Sequence, residues 1–488
     1  MSVHWPIIRR LLFRPLAHAV VDDRGPRRGI ELLLAALHAA SAIERAGSSR
    51  TVGVLLPTGA GFPVAALAAW SLGRTVVPLN YLLKRDELEY IITDSGADTV
   101  VTAGPMLEFM GYEPSGARLL RLETLDFKSA PEPRLPARAE HDDLAVLLYT
   151  SGTSGKPKGV MLSHGNLRAN MSQIFRYANF SRHDVMLGVL PQFHSFGMTA
   201  LTLLPLAAGM KVIYTARFVP QKIVRLLREH RPTFFVGIPS MYGALLSVKD
   251  AAPDDFASLR FAVSGGEPLS GAVADEFHQR FGVRIAEGYG LTETSPVTNV
   301  CLPEEYRRAS VGRALPDIEE RIVDPATGRS LPVGSEGEIW IKGPNVMKGY
   351  FGLPDETAKA LTPDGFLRTG DMGKLDPDGF LYITGRIKEM LIIAGENVFP
   401  REIEEVLDRH PAVAASGVVG IPDPVRGELP LAFVELKEGA AFDKPSIIAH
   451  CRANLAGYKV PTDVRHLDAL PRSPTGKVLR RALKASLA

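Results

Sequence analysis

The chain has 488 residues, 45% hydrophobic and 23% charged: too long for one core, and composed like a globular protein. Its 56 lysines and arginines barely exceed its 54 acids, so no basic field points to nucleic acid. Two cysteines, Cys301 and Cys451, lie far apart and out of metal-ligand spacing. They exclude a disulfide scaffold and a thiolate zinc site, and they suit a reducing cytoplasmic setting.

Residues 5–14 are basic and partly amphipathic, and Pro15 cuts the pattern short. They lack a long apolar stretch before a small-residue cleavage site, so no signal peptide is expected. The expectation is a segment docked on its domain, with weak peripheral membrane contact as the alternative. No apolar run reaches the roughly 20 residues needed to span a bilayer. Ile30, Leu33, Leu34 and Leu37 recur at helical spacing. Residues 52–56 read as a buried strand, 64–72 as a helix and 76–79 as another strand. Further strands are expected at 146–149, 185–190, 212–214, 234–236 and 261–263, with helical patterns between them. This alternation predicts layered α/β structure with much parallel sheet. The stretch 118–142, rich in Pro, Arg and acids, reads as a surface connection.

Beyond about Asp317 the pattern turns β-rich, with strands at 338–341 and 380–383. From Gly385 a small α+β domain is expected. Its helix starts at Pro400 and carries Ile403, Val406 and Leu407 on one face, and strands follow at 413–420 and 431–436. The predicted organisation is a large domain over 1–384 and a small mobile one over 385–488.

Chemistry enters at residues 146–159. A buried strand runs into Thr150, Ser151, Gly152, Thr153, Ser154, Gly155, Lys156 and Lys158. Backbone N–H groups, hydroxyls and ammonium groups together are what a polyphosphate needs. The Gly-x4-Gly-Lys-Ser/Thr spacing is absent, which disfavours kinases and GTPases of that class. A flexible surface turn is the bland alternative. The loop resembles the signature of the adenylate-forming superfamily: acyl-CoA synthetases, luciferases and nonribosomal-peptide adenylation domains. The resemblance continues in order through residues 191–198, 264–269, 287–294, 366–371, 385–390 and 471–477, essentially the whole chain.

What the resemblance implies is specific. Gly266, Glu267, Glu287, Gly288 and Tyr289 would form nucleotide motifs, with the Tyr289 ring offered to adenine. Thr292 would contact phosphate. Glu293 would hold Mg²⁺, which usually takes one or two carboxylates plus phosphate oxygens. Asp371 would accept the ribose hydroxyls and Arg386 would donate beside them. Alone, each would read as a surface ion pair. Lys477 would bridge substrate carboxylate and α-phosphate, offsetting the repulsion between two anions. Lys388 stands at the hinge position, where the small domain is expected to rotate. The rotation would then present Gly395 and Glu396 along a tunnel for the pantetheine arm of CoA. His194 would gate or orient the acid; a core histidine with a backbone partner is the competing reading.

Phe193, Phe196, Met198, Ile238, Met241 and the small Gly265 are expected to shape an acyl pocket. No buried Arg or Lys stands out to hold a second carboxylate, so a lipophilic monocarboxylic acid, medium- or long-chain, fits better than a malonate-type one. Ala394 departs from the lysine that plant coumarate ligases tend to carry before the glycine. The expected reaction is acid plus MgATP to acyl-AMP, then CoA to the thioester. An acyl carrier protein as acceptor and a nucleotide-binding module without turnover are the alternatives.

Overall fold

The structure is a computed structural model, and it describes residues 2–150, 156–393, 396–472 and 478–487. Among these residues the large domain is built on three sheets. One has six strands, with Arg118–Arg121, Thr99–Thr102, Thr51–Val54, Thr75–Pro78 and Leu144–Thr150 side by side and parallel. Lys158–Ser163 closes its edge antiparallel to Leu144–Thr150. The parallel strands are near-continuous apolar runs because helices cover both faces. The buried helix Gly61–Ser71, apolar all round, is one such cover.

A nine-stranded sheet stands beside it. Its parallel centre is formed by Lys211–Tyr214, Val185–Gly188, Phe234–Gly237, Phe261–Ser264 and Ile285–Gly290. The chain leaves the C-terminal ends of these strands through residues 189–198, 265–270 and 291–296. In open α/β sheets that is where ligands collect. The third sheet is antiparallel and runs Glu319–Val323, Gly337–Lys342, Leu367–Leu375 and Leu381–Arg386. The small domain has its own sheet around the long hairpin Val413–Asp423 and Gly427–Leu436, and its own apolar core.

The expected α/β architecture with a smaller α+β domain is what forms. One expectation changes. Within 118–142, Arg118–Arg121 is an edge strand of the six-stranded sheet rather than a surface connection. It pairs through backbone groups, so its charged side chains could point outward without announcing a strand.

Candidate active site

The clearest cluster joins three strands. Tyr289, on Ile285–Gly290, donates its hydroxyl to Asp371 Oδ2 at 2.6 Å. Arg386, cross-strand from Asp371 in the antiparallel sheet, places Nε 2.7 Å from Oδ1. The Asp371 carboxylate holds the Arg386 guanidinium above its usual range. Burial, then the neighbouring carboxylate, pushes the Tyr289 phenol up as well. Beyond Gly290 the chain makes a short 3-10 turn, Thr292–Thr294. There Thr292 Oγ1 lies 3.3 Å from the Ser195 hydroxyl, and Glu293 Oε1 accepts from Tyr350 at 2.9 Å.

Lys158 reaches the same neighbourhood from the six-stranded sheet. Its Nζ pairs with the Glu356 carboxylate and lies 5.4 Å from the centre of the Tyr350 ring. The pairing holds the Glu356 carboxyl down at about 2. Lys156 sits over the Tyr90 ring at 5.4 Å. Thr150 ends its strand opposite Lys158. Ser151, Gly152, Thr153, Ser154 and Gly155 lie outside the described residues, as do Lys477 and Gly395. The flanks of Lys477 are described: Arg472 and Val478 pair as an antiparallel bridge. Arg472 also touches Glu435, 3.2 Å away, and reaches the wall of the main cavity.

That cavity measures about 850 Å³. Its walls include His194, Phe196, Gly266, Glu267 and Arg472 together with the apolar Tyr81, Met106, Phe109, Phe218, Ile238 and Met241. His194 opens the short helix Ser195–Met198, its Nδ1 facing the Phe196 N–H at 3.4 Å. Burial lowers its pKa, favouring neutral imidazole. A second, narrow cavity of about 130 Å³ runs behind Phe196 and Gly265 toward Tyr289. Glu287 lies at the junction with the small domain. Burial raises its carboxyl to about 7 against the opposing field of Arg401, and Oε2 accepts from Leu269 N–H at 3.4 Å. Lys388 lies in the turn Ile387–Glu389 and Glu396 is exposed on the strand Glu396–Val398.

Two expectations about the pocket need correction. Met198 is fully buried in the main core and lines neither cavity. Phe193 lines neither cavity and stands edge-on to Tyr81 at 4.9 Å. The short helix Ser195–Met198 carries Met198 inward while His194 and Phe196 stay at the cavity, which adjacency in sequence cannot show. Arg217 and Arg472 also reach the wall, both as exposed side chains. The Arg217 guanidinium lies 5.1 Å from the Phe109 ring centre. Tyr81, Met106, Phe109 and Phe218 were not expected there because they arrive from segments far away in the chain, Met106 and Phe109 on the helix Gly104–Met110. Arg217 and Phe218, just past the buried strand Lys211–Tyr214, were a usable signal.

Known proteins resemble this chain in sequence and fold. The sequence profile of the AMP-binding enzymes matches residues 15–351, and that of their C-terminal domain matches residues 402–477. A feruloyl-CoA synthase from Amycolatopsis sp is 34% identical over 98% of this chain and 97% of its own. A long-chain-fatty-acid–CoA ligase from Bacillus subtilis (strain 168) is 41% identical over 70% of this chain and 62% of its own. ATP-bound MatB from Rhodopseudomonas palustris superposes with a TM-score of 0.90 at 32% identity, covering 100% of this chain and 99% of its own. Apo MatB superposes over the same coverage with 0.81, at 31% identity. Profiles covering both parts of the chain, and relatives matched almost end to end, show that it belongs to the family of AMP-binding, adenylate-forming enzymes.

Proposed function

We propose that the chain is an acid–CoA ligase that activates a lipophilic monocarboxylic acid through an acyl-adenylate. The observation that carries this is spatial. The large apolar cavity is walled by His194, Phe196 and Gly266, and the second cavity shares these three and reaches Tyr289 and Thr292, beside the Asp371–Arg386 pair.

In the proposed first step an oxygen of the acid attacks the α-phosphorus of ATP. The bond to the β,γ-phosphates breaks and pyrophosphate leaves with the electron pair. Asp371 has about four acceptor positions, of which Tyr289 and Arg386 fill two, so it can still accept ribose hydroxyls. Arg386 neutralises it on the opposite side. Thr292 offers a hydroxyl to phosphate. Among the described residues no cluster of three His, Cys, Asp or Glu side chains could hold a metal ion. The single carboxylate of Glu293, oriented by Tyr350, fits Mg²⁺, which takes most of its ligands from phosphates and water. When bound, Mg²⁺ would neutralise phosphate charge. Neutral His194 at the cavity wall can donate to the acid without clamping it. Lys477 supplies the remaining cation. The two flanks of its loop meet beside the cavity wall, which supports that role.

In the second step the CoA sulfur attacks the acyl carbon, AMP leaves, and the thiol proton passes to solvent. The small domain would turn about Lys388 between the steps, with the boundary at 384/385. The closer likeness to the ATP-bound form of MatB supports reading the present arrangement as the adenylating one.

The apolar walls favour a fatty acyl group. A second reading, an aromatic acid, is favoured by the rings of Tyr81, Phe109 and Phe218 and by Arg217 at the cavity wall. A named feruloyl-CoA synthase among the relatives supports it too. Acid-dependent ATP–pyrophosphate exchange with laurate, palmitate, benzoate and ferulate separates the two by kcat/KM. Product analysis with CoA against an acyl carrier protein identifies the acceptor. ATP binding without exchange for any acid would leave a nucleotide-binding module and overturn the proposal.

A further inference from the structure

The helix His4–Phe13 buries His4, Ile7, Ile8 and Leu11. That face packs on the helices Leu204–Ala208 and Gly29–Ala46. Its other side is unusual for a protein surface. Phe13 is 75% exposed, Leu16 69% and Leu12 57%, three large apolar side chains within five positions. Arg9, Arg10 and Arg14 are exposed among them. Among the described residues no carboxylate pairs with any of these arginines. The first acidic residue in the chain is Asp22, so the segment is cationic throughout. Beside the helix is a cavity of about 510 Å³, walled by Trp5, Arg9, Arg10, Phe13 and Arg168. Arg10 is steadied there by a bond from Nε to the Ala207 carbonyl at 3.3 Å.

We infer that this face is a docking surface for an anionic lipid bilayer. Leu12, Phe13 and Leu16 enter the interface, and the arginines gather around lipid phosphates. Charge complementarity selects this occupant. A free anion would satisfy the arginines and leave the apolar trio in water. A stable protein partner would need roughly 800 Å² on this side alone, more than three side chains at one helix end supply. A surface-lying helix with an apolar edge, arginines on its flanks and an indole nearby matches how peripheral proteins meet anionic membranes. None of the described helices is long and apolar enough to cross one, so contact stays at the surface.

The test is cosedimentation of the full chain with vesicles of phosphatidylglycerol and phosphatidylcholine, against phosphatidylcholine alone. Binding to the mixed vesicles only, weakening with salt, is expected. Each arginine near the surface contributes roughly fivefold, so the double variant R9E/R14E should lose more than about tenfold. Phe13→Ser with Leu12→Ser should reduce binding at unchanged charge. All four side chains are exposed, so these variants should fold, and acid-dependent pyrophosphate exchange in solution should stay at the parent level. Equal binding to neutral vesicles, or binding indifferent to both variants, would overturn the inference. Release by inorganic phosphate at constant ionic strength would reassign the site to a free anion. A dimer in vesicle-free solution that F13S dissociates would reassign the face to a second copy of this chain.

Discussion

Burial holds the Glu287 carboxyl up at about 7, with Arg401 of the small domain opposing the shift. The ordinary value is 4.5. Between those values the folded chain binds a proton that the unfolded chain has lost. Stability is therefore complete below the lower value and falls as pH rises through the upper one. Glu287→Gln should flatten the melting temperature against pH in that window. The buried Glu320 and Asp408 carboxyls, also pushed to about 7, contribute the same sign and should leave part of the slope. A variant whose melting profile is as steep as the parent's would show that Glu287 does not titrate there. Lys477→Ala belongs at the same scale. On the proposed mechanism the variant should cut acyl-adenylate formation by about a hundredfold or more. Thioester formation from supplied acyl-adenylate should survive. Equal loss in both half-reactions would contradict a role confined to adenylation.

At the scale of elements, two glycines let the segments around His194 and Phe196 seat closely on their neighbours. A Cβ on Gly197 would stand 2.0 Å from the Pro191 carbonyl oxygen, so the turn carrying His194 seats directly on backbone. Backbone cannot step aside as a side chain can. Gly197→Ala should cost about 1–3 kcal/mol, read by chemical denaturation, and displace His194 with it. Gly265 differs. Its added Cβ would meet the Phe196 ring at 3.1 Å, and a ring can tilt. Gly265→Ala should keep most of the stability and instead raise KM for the acid, because Phe196 lines both cavities. If both variants unfolded equally, the distinction between backbone and side-chain seats would fail.

At the scale of the whole molecule, the chain passes from the antiparallel sheet to the small domain through Ile387–Glu389. One polar contact across the junction is the bond that Arg401 donates to the Ile383 carbonyl at 2.5 Å. On the small-domain side Arg480 bridges Glu389, in the connecting turn, to Glu404. Lys388→Pro should restrict the turn to one family of backbone angles. The expected result is adenylation within a few-fold of the parent and thioester formation reduced by ten-fold or more. Rates of the two half-reactions, measured separately, check it. Parallel loss of both would remove the rotation from the mechanism.

Chain order alone carried the α/β class and the smaller second part. Tyr289, Asp371 and Arg386 stand in short, contiguous motifs far apart in the chain, and the fold brings their side chains together. The acyl cavity was legible only in part. Phe196, Ile238 and Met241 were expected there and line it, but Tyr81, Phe109 and Arg217 come from segments far away in the chain, and an apolar side chain looks the same in a sequence whether it faces a cavity or a core. Met198, expected at the pocket, faces the core instead. Folding decides such cases, because burial depends on which loops meet above the sheet, and no local pattern records that meeting.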